Sequence, residues 1–277
     1  MNQRVVAFQG EHGAYSEEAI HKHFGSDVVT YPCESFADIF HAIQNGDAQH
    51  GMLPVENSLA GTVAQSYELL IEYDFRVQAE YVLPVRHHLL APVGTTVQDI
   101  RFVKSHPQAL AQCAEHLHRR GWEAVVVYDT AGAARELALH PEPNTAAIAS
   151  VLAADLYGLQ VLEAGMEDEP DNFTRFFVIG VEDVPRCDPS KTSLVFTVRH
   201  QPSALYECLG AFARHKINLT KIESRPIRRR PWQYWFYLDF EGHWQDANAE
   251  AALIDLLRRA SMVKMLGSYP AGTPNGD

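Results

Sequence analysis

Cysteine is scarce in this chain, with four in 277 residues at Cys33, Cys113, Cys187 and Cys208, and no CxxC pair among them. That spacing excludes a zinc ribbon and a dithiol redox motif, and the four read as small, mostly buried, reduced side chains. Basic charge is also short: 23 Lys and Arg stand against 35 Asp and Glu, a formal net charge of -12. Nucleic-acid binders carry a basic face or stripe, so nucleic acid is not an expected partner. No apolar run approaches the ~20 residues that a membrane span needs, so none is expected in a bilayer. The opening MNQRVVAFQGEHGAYS enters a short apolar strand directly, without the longer apolar segment and small-residue cleavage site of a secretory signal, and points to the cytoplasm. Also missing are GxGxxG after a strand, GxxxxGK[ST] and HExxH, so neither a nucleotide cofactor nor a catalytic metal has local support. The close histidine pairs (His21 with His23, His87 with His88, His116 with His118) do not replace them, because HxH spacing does not put both rings on one helix face.

What is present is an ordinary globular composition, 46% hydrophobic and 21% charged, with length enough for two domains. The first part alternates short apolar runs with helical patterns, the order of a mostly parallel α/β sheet. RVVAF reads as a buried strand and Ser16 to Phe24 as a helix. Ser35 is placed as the N-cap of FADIFHAIQN, whose Phe36, Ile39, Phe40 and Ile43 recur at helical spacing before Gly46. Pro107 to Arg119 reads as one helix, and NFTRFFVIG as the last apolar strand of this part. VEDVPRCDPSK then breaks the pattern and marks a linker. Beyond it come strand TSLVFTV, helix Ala204 to Arg214, strands INLTKIESRP and WQYWFYLDFEG, helix Ala247 to Arg259 and strand MVKMLGSY, a βαββαβ ferredoxin-like order. The aromatic WQYWFYLDF run leaves two readings open, core packing or an apolar face for a second subunit, with the second favoured.

Spacing alone leaves the function open, but four blocks carry a resemblance. PVENSLAG (Pro54 to Gly61), SHPQALAQC (Ser105 to Cys113), DTAGAA (Asp129 to Ala134) and NFTRF (Asn172 to Phe176) resemble the signature segments of prephenate dehydratases. FQGEHGAYS resembles that family's first strand and turn, and SALYECLGAFARHKINLTKIESRP its C-terminal ACT regulatory domain. The resemblance runs over nearly the whole chain in the expected order. It implies an α/β catalytic domain of two lobes, like the type II periplasmic binding proteins, over 1–182, with lobe one about 1–83 and 168–182 and lobe two about 84–167. A ferredoxin-like ACT domain is expected over 191–270 and a tail over 271–277. Substrate would lie in the cleft between the lobes, where the chain crosses near Leu83 to Val85 and returns near Met166 to Asn172.

The implied reaction removes carbon dioxide and water from prephenate to give phenylpyruvate in phenylalanine biosynthesis. Aromatisation drives it, and no metal or coenzyme is required. Hydroxide leaves poorly, so a proton or strong hydrogen bond must reach the departing oxygen. By resemblance Thr174 lies nearest that oxygen, with Asn57, Ser105 and Gln112 completing a polar shell. An alcohol is a weak acid, so Thr174 reads as a hydrogen-bond donor or relay. Glu56 in PVENSLAG is either the ultimate proton source or a helix-capping carboxylate. The substrate is a dianion, and local donors must hold it: N–H groups of Thr130, Ala131, Gly132 and Ala133 at a helix start, or the Arg175 guanidinium. Strand alternation sends Thr174 and Phe176 one way and Arg175 the other, which favours a structural ion pair for Arg175. Phe176 either walls off water or packs the core, and His106 either caps the helix after Ser105 or faces the substrate.

For the C-terminal part the resemblance implies phenylalanine as effector, bound at a subunit interface by Glu223, Ser224, Arg225 and Pro226 with a loop containing Ala204 and Leu205. That loop normally begins with glycine; here Ser203 stands there, which leaves effector affinity and identity open. ACT pairing implies a homodimer or homotetramer. Arogenate dehydratase, acting on the aminated substrate, is the nearest alternative, and a non-catalytic amino-acid sensor the remote one.

Overall fold

The computed structural model describes residues 3–228, 230 and 232–272; the expected tail lies outside the described residues from 273 onward. The elements are β1 Val5–Gln9, α1 Tyr15–Phe24, β2 Val29–Cys33, α2 Phe36–Asn45, β3 His50–Asn57, β4 Gly61–Thr62, α3 Ala64–Glu72, β5 Arg76–Pro84 and β6 His88–Ala91. There follow β7 Phe102–Ser105, α4 Pro107–Gln112, α5 Ala114–Arg120, β8 Glu123–Val126, α6 Thr130–Leu139, β9 Thr145–Ala149, α7 Val151–Tyr157, β10 Gln160–Ala164 and β11 Phe173–Gly180. The chain closes with β12 Ser190–Thr197, α8 Ala204–Arg214, β13 Leu219–Pro226, β14 Tyr234–Glu241, α9 Ala247–Leu257 and β15 Met262–Pro270.

Two compact units result. One takes in the chain up to Ser66 together with Tyr81–Phe176; the other takes in Tyr67–Glu80 and Phe177–Gly272. The first unit has two lobes, each built on its own sheet. The first sheet runs β2-β1-β3-β11-β5, with β4 beside β3, and its β1 is parallel to both β2 and β3. The second runs β10-β6-β9-β7-β8, parallel through β9-β7-β8 and antiparallel at β10-β6-β9. The chain passes between lobes at 85–87 and returns after β10, and the two crossings are bonded side by side. Val85 N–H donates to the Asn172 carbonyl at 2.8 Å, and Met166 N–H to that of His87 at 2.9 Å. This is the two-lobed α/β plan expected from the sequence.

Local chemistry explains the elements that frame the cleft. Ser35 caps α2 in a reciprocal box with Asp38: its Oγ accepts from Asp38 N–H at 3.3 Å, while Ser35 N–H donates to the Asp38 carboxylate at 3.0 Å. Gly46 ends that helix in the left-handed region. α1 has no side-chain N-cap; Glu17 takes that part instead, accepting from Gly13 N–H at 2.5 Å, Thr30 Oγ1 at 2.6 Å and His12 Nδ1 at 2.7 Å. Gly13 has φ +89, and a Cβ there would sit 2.9 Å from Ala153, so this turn accepts only glycine.

One expectation is corrected here. Pro107 to Arg119 is two helices, not one, broken at Cys113 with φ -117 and ψ 14. The cause is Asp168, whose carboxylate accepts from Glu115 and His116 N–H at 2.9 and 3.1 Å, starting a new helix there. Asp168 N–H in turn donates to the Gln112 carbonyl at 2.8 Å, which fixes Gln112 at the end of α4.

In the second unit the order β13-β14-β12-β15 with α8 and α9 is the ferredoxin-like βαββαβ arrangement expected. Leu194, Phe196, Phe212, Leu238, Phe240 and Leu256 form the core between sheet and helices. The other sheet face is covered by the segment Tyr67–Glu80 and by Phe177. Tyr67 meets Tyr237 with ring centroids 4.6 Å apart and Phe177 meets Tyr269 at 5.6 Å. Lys264 Nζ caps the end of α3 by donating to the Ile71 and Tyr73 carbonyls at 2.9 and 2.6 Å. Gly267 lets β5 approach so closely that a Cβ would lie 2.3 Å from the Val77 carbonyl oxygen. The favoured subunit-face reading of WQYWFYLDF is therefore corrected from Phe236 to Phe240, which are buried within the chain on both sides of the sheet. Of its aromatic residues Trp232 and Tyr234, at 77% and 38%, remain exposed, with Gln233 between them exposed and Trp235 half-buried.

Candidate active site

Between the lobes of the first unit lies a cavity of about 390 Å³. Asn57 from the end of β3, Thr174 and Phe176 from β11, His106 and Gln112 from the two ends of α4, and Thr130 from the start of α6 all line it. Alternation along β11 does what the sequence pattern implied: Thr174 and Phe176 face the cavity, while Arg175 pairs with Glu56 at 3.9 Å.

The polarity of this site can be read from its hydrogen bonds without ambiguity, because they start from backbone. Asn57 Oδ1 accepts from Leu59 and Ala60 N–H at 3.1 and 2.8 Å, so the other terminus of the amide is the NH₂. That Nδ2 donates to Thr174 Oγ1 at 3.0 Å, to Asn172 Oδ1 at 2.8 Å and to the Phe173 carbonyl at 3.1 Å. Asn172 Nδ2 then donates to Gln112 Oε1 at 3.1 Å. Thr174 Oγ1 is thus an acceptor toward the protein, and its own O–H, with no acceptor among the described residues, is left to donate into the cavity.

His106 holds α4 at its first turn, its Nδ1 accepting from Gln108 N–H at 3.2 Å. In the neutral ring the proton therefore sits on Nε2. This histidine caps the helix and also lines the cavity.

Four sequence expectations do not reach the cavity lining. Ser105 is fully buried and spends its hydroxyl on the Ile148 carbonyl at 2.7 Å, tying β7 to β9. Glu56 and Arg175 face each other instead. The N–H groups at the start of α6 are already occupied: Asp129, the N-cap, accepts from Gly132 N–H at 2.6 Å, and its carbonyl from Ala133 N–H at 3.0 Å. With Ala131 also buried, the helix start offers Thr130 to the cavity and not Ala131, Gly132 or Ala133. Burial raises the Asp129 carboxyl above its ordinary range, opposed by the hydrogen bond from Gly132.

Sequence reading passed over Tyr15, His87 and Asn172. Asn172 lies inside NFTRF and is fully buried, and its block could have marked it. Tyr15 lies in FQGEHGAYS, which resembles the family's first strand and turn, and that segment could have marked it; His87 lines the cavity from outside every such block, and no spacing rule singles it out.

In the second unit Ala204 and Leu205 line a cavity of about 510 Å³ with Ser203, Tyr206, Trp232 and Tyr234. Glu223, Ser224, Arg225 and Pro226 lie on β13 and do not line it; Arg225 pairs with Glu223 at 2.7 Å. Ser203 has φ +67, the left-handed conformation that the family's glycine would adopt freely.

A two-lobed α/β unit with a cavity between its lobes, together with a ferredoxin-like unit, defines a two-unit α/β class of protein, and comparison with known proteins narrows it. Residues 6–184 match the family model for prephenate dehydratase. The chain belongs to the prephenate dehydratase family, whose members are hydro-lyases. Arogenate dehydratase/prephenate dehydratase 2, chloroplastic, of Arabidopsis thaliana is 41% identical over 97% of this chain and 73% of its own length. Among solved structures, prephenate dehydratase of Arthrobacter aurescens in complex with L-Phe is 30% identical, with TM-score 0.89 over 99% of this chain and 91% of that one. GqqA, described as a novel type of quorum quenching acylase, is 36% identical, with TM-score 0.90 over 98% of this chain and 99% of that one. No helix among the described residues is long and apolar enough to cross a membrane.

Proposed function

We propose that this chain converts prephenate to phenylpyruvate for phenylalanine biosynthesis and that the cavity between its lobes is where it does so. The observation that carries this is the polarity of Thr174: Asn57 occupies its acceptor side, so its O–H is presented to whatever fills the cavity. In the reaction the ring carboxylate leaves as carbon dioxide, its bonding pair enters the ring, and the hydroxyl across the ring departs with the C–O pair. A donor aimed at that oxygen strengthens as charge develops on it, which is the effect that lowers a barrier. Thr174 acts by hydrogen bonding and keeps its proton at rest, because its neighbour Asn57 is an amide and cannot replace it. The proton that completes water is delivered by a water molecule entering the cavity, where the neutral His106 ring adds its Nε2–H as a second hydrogen-bond donor.

Arogenate is the second reading, and one observation favours it. A neighbouring cavity of about 420 Å³ shares Gln9 with the first and is lined by Glu11, Glu34 and Asp129, carboxylates suited to an ammonium group. The Arabidopsis relative carries both activities in its name. The deciding experiment compares kcat/KM for prephenate and arogenate with the purified chain, identifying phenylpyruvate and phenylalanine as products. Binding of prephenate without any product would replace the enzyme reading by that of a sensor. The acylase activity in the name of GqqA requires an activated nucleophile, whereas the hydroxyl here is bonded to an amide and not to a base.

The C-terminal unit we assign to regulation by phenylalanine, through pairing of ACT units in a homodimer or homotetramer in the cytoplasm. Support comes from the L-Phe complex of the Arthrobacter relative and from the separation of Ala204 and Leu205 from Glu223–Pro226, which a second copy would bring together. β11 offers a route for coupling, with Thr174 at the cavity end and Phe177, packed on Tyr67 and Tyr269, three residues on. Phenylalanine must then bind two states unequally, and substrate must weaken its binding by the same factor. Calorimetry on the full chain with and without a substrate analogue tests this; no heat of phenylalanine binding in either state would reject it.

A further inference from the structure

His87 is 2% exposed and lines the catalytic cavity, yet nothing in the reaction described above uses it. Its Nε2 lies 2.8 Å from Gln112 Oε1 and its Nδ1 lies 2.7 Å from the Tyr15 hydroxyl. The Tyr15 hydroxyl is also 3.0 Å from the Arg86 carbonyl. Because Asn172 Nδ2 already identifies the Gln112 atom as the amide oxygen, His87 Nε2 must carry a proton and donate. The Nδ1 lone pair then faces Tyr15, whose O–H is drawn to it. Burial, the largest influence, holds this imidazole below its ordinary pKa against the opposing pull of Gln112 and of Glu167, and so favours the neutral ring with that one tautomer.

The consequence falls on Gln112. Its Oε1 receives two donors, one from each lobe crossing: His87 at 85–87 and Asn172 at the return. Its Nε2 makes no hydrogen bond to the described residues, although Gln112 lines the cavity. An amide held by its oxygen from both sides cannot exchange its two ends without leaving two buried donors facing an NH₂ group. A histidine filling space alone would need only one partner for its N–H, and any core hydrocarbon would fill the same space.

We propose that His87, its ring held in place by the Tyr15 hydroxyl at Nδ1, is a positioning residue that locks the Gln112 amide with its NH₂ toward the cavity, where it donates to an anionic oxygen of the substrate. This rests on the dehydratase reading of the same cavity. Asn172 and His87 share the task, so loss of His87 weakens the lock without abolishing it.

The test is a double-mutant cycle on the full chain, with kcat and KM measured on prephenate and arogenate for H87L, H87Q and Y15F, each with Gln112 intact and with Q112L. H87L is expected to lower kcat about tenfold and Y15F about threefold, in the range for a lost supporting hydrogen bond. H87Q, which restores a donor near the Nε2 position, should recover most of what H87L loses. In the Q112L background H87L and Y15F should cost nothing further, because their effect passes through Gln112. Losses that persist undiminished beside Q112L, or an H87L enzyme with unchanged kcat, overturn the proposal. If H87L does not fold, Y15F, which keeps its ring and its packing, decides by the same criterion. Wild-type protein without turnover on either substrate would remove the dehydratase reading and this inference with it, an outcome separate from active wild type with an insensitive His87.

Discussion

Asn57→Asp replaces one NH₂ by oxygen and changes almost nothing in shape, so it isolates polarity. The aspartate keeps one oxygen on Leu59 and Ala60 N–H. Its second oxygen then faces Asn172 Oδ1, which loses its donor, the Phe173 carbonyl, which keeps the Ser58 N–H at 2.9 Å, and Thr174 Oγ1, whose O–H turns inward to it. One buried acceptor left bare, set against the new Thr174 bond, gives a destabilisation of roughly 1–3 kcal/mol. Withdrawing the Thr174 proton from the cavity removes one preorganised donor, for which a loss on the order of 10²-fold in kcat is expected. Urea denaturation followed by circular dichroism gives the first quantity and phenylpyruvate formation the second. A folded N57D enzyme with kcat within about threefold of wild type would refute the polarity argument, since the Thr174 proton would then be shown to serve no purpose.

Two further outcomes follow from features away from the cavity. Ser203→Gly should stabilise the second unit by about 0.5–1 kcal/mol in urea denaturation, because the left-handed conformation costs a side-chain-bearing residue roughly 1–2 kcal/mol and glycine gives part of that back as unfolded-chain entropy; a destabilised S203G chain would contradict it. Burial pushes the Glu17 carboxyl up, but the Thr30 hydroxyl, Gly13 N–H and His12 together hold it below its ordinary value of 4.5. Its contribution is then fully present above pH 4.5 and lost as pH falls through the lower folded-state value, so E17Q should be less stable at neutral pH and show a shallower decline on acidification; an identical acid limb would exclude Glu17 as a source of that slope.

Much of this molecule could be read from residue order, and the limits have physical causes. α2 was legible to the residue because its signals are local: Ser35 to cap, an apolar stripe, Gly46 to stop. The break at Cys113 was not, because the carboxylate that creates it comes from Asp168, more than fifty residues along the chain. In the cavity, strand alternation correctly separated Thr174 from Arg175. It could not separate Ser105 from Gln112, since whether a hydroxyl meets a neighbouring strand or open space depends on β9, a non-local partner. The anion site expected at Ala131–Ala133 failed for a related reason: the Asp129 that precedes it is the anion occupying it. WQYWFYLDF was misread because the segment that covers it, Tyr67–Glu80, lies far upstream. His87 carried no sequence signal at all, its meaning arising only from the two amides and the phenol that surround it.

The most direct measurement is the turnover of prephenate by Thr174→Val, a variant of nearly the same shape that lacks only the hydroxyl. A drop in kcat of about 10²-fold or more, with KM little changed and the fold intact, is what a donor acting on the departing oxygen requires. Turnover within a few-fold of wild type would mean that the hydroxyl presented by Asn57 takes no part in expelling water.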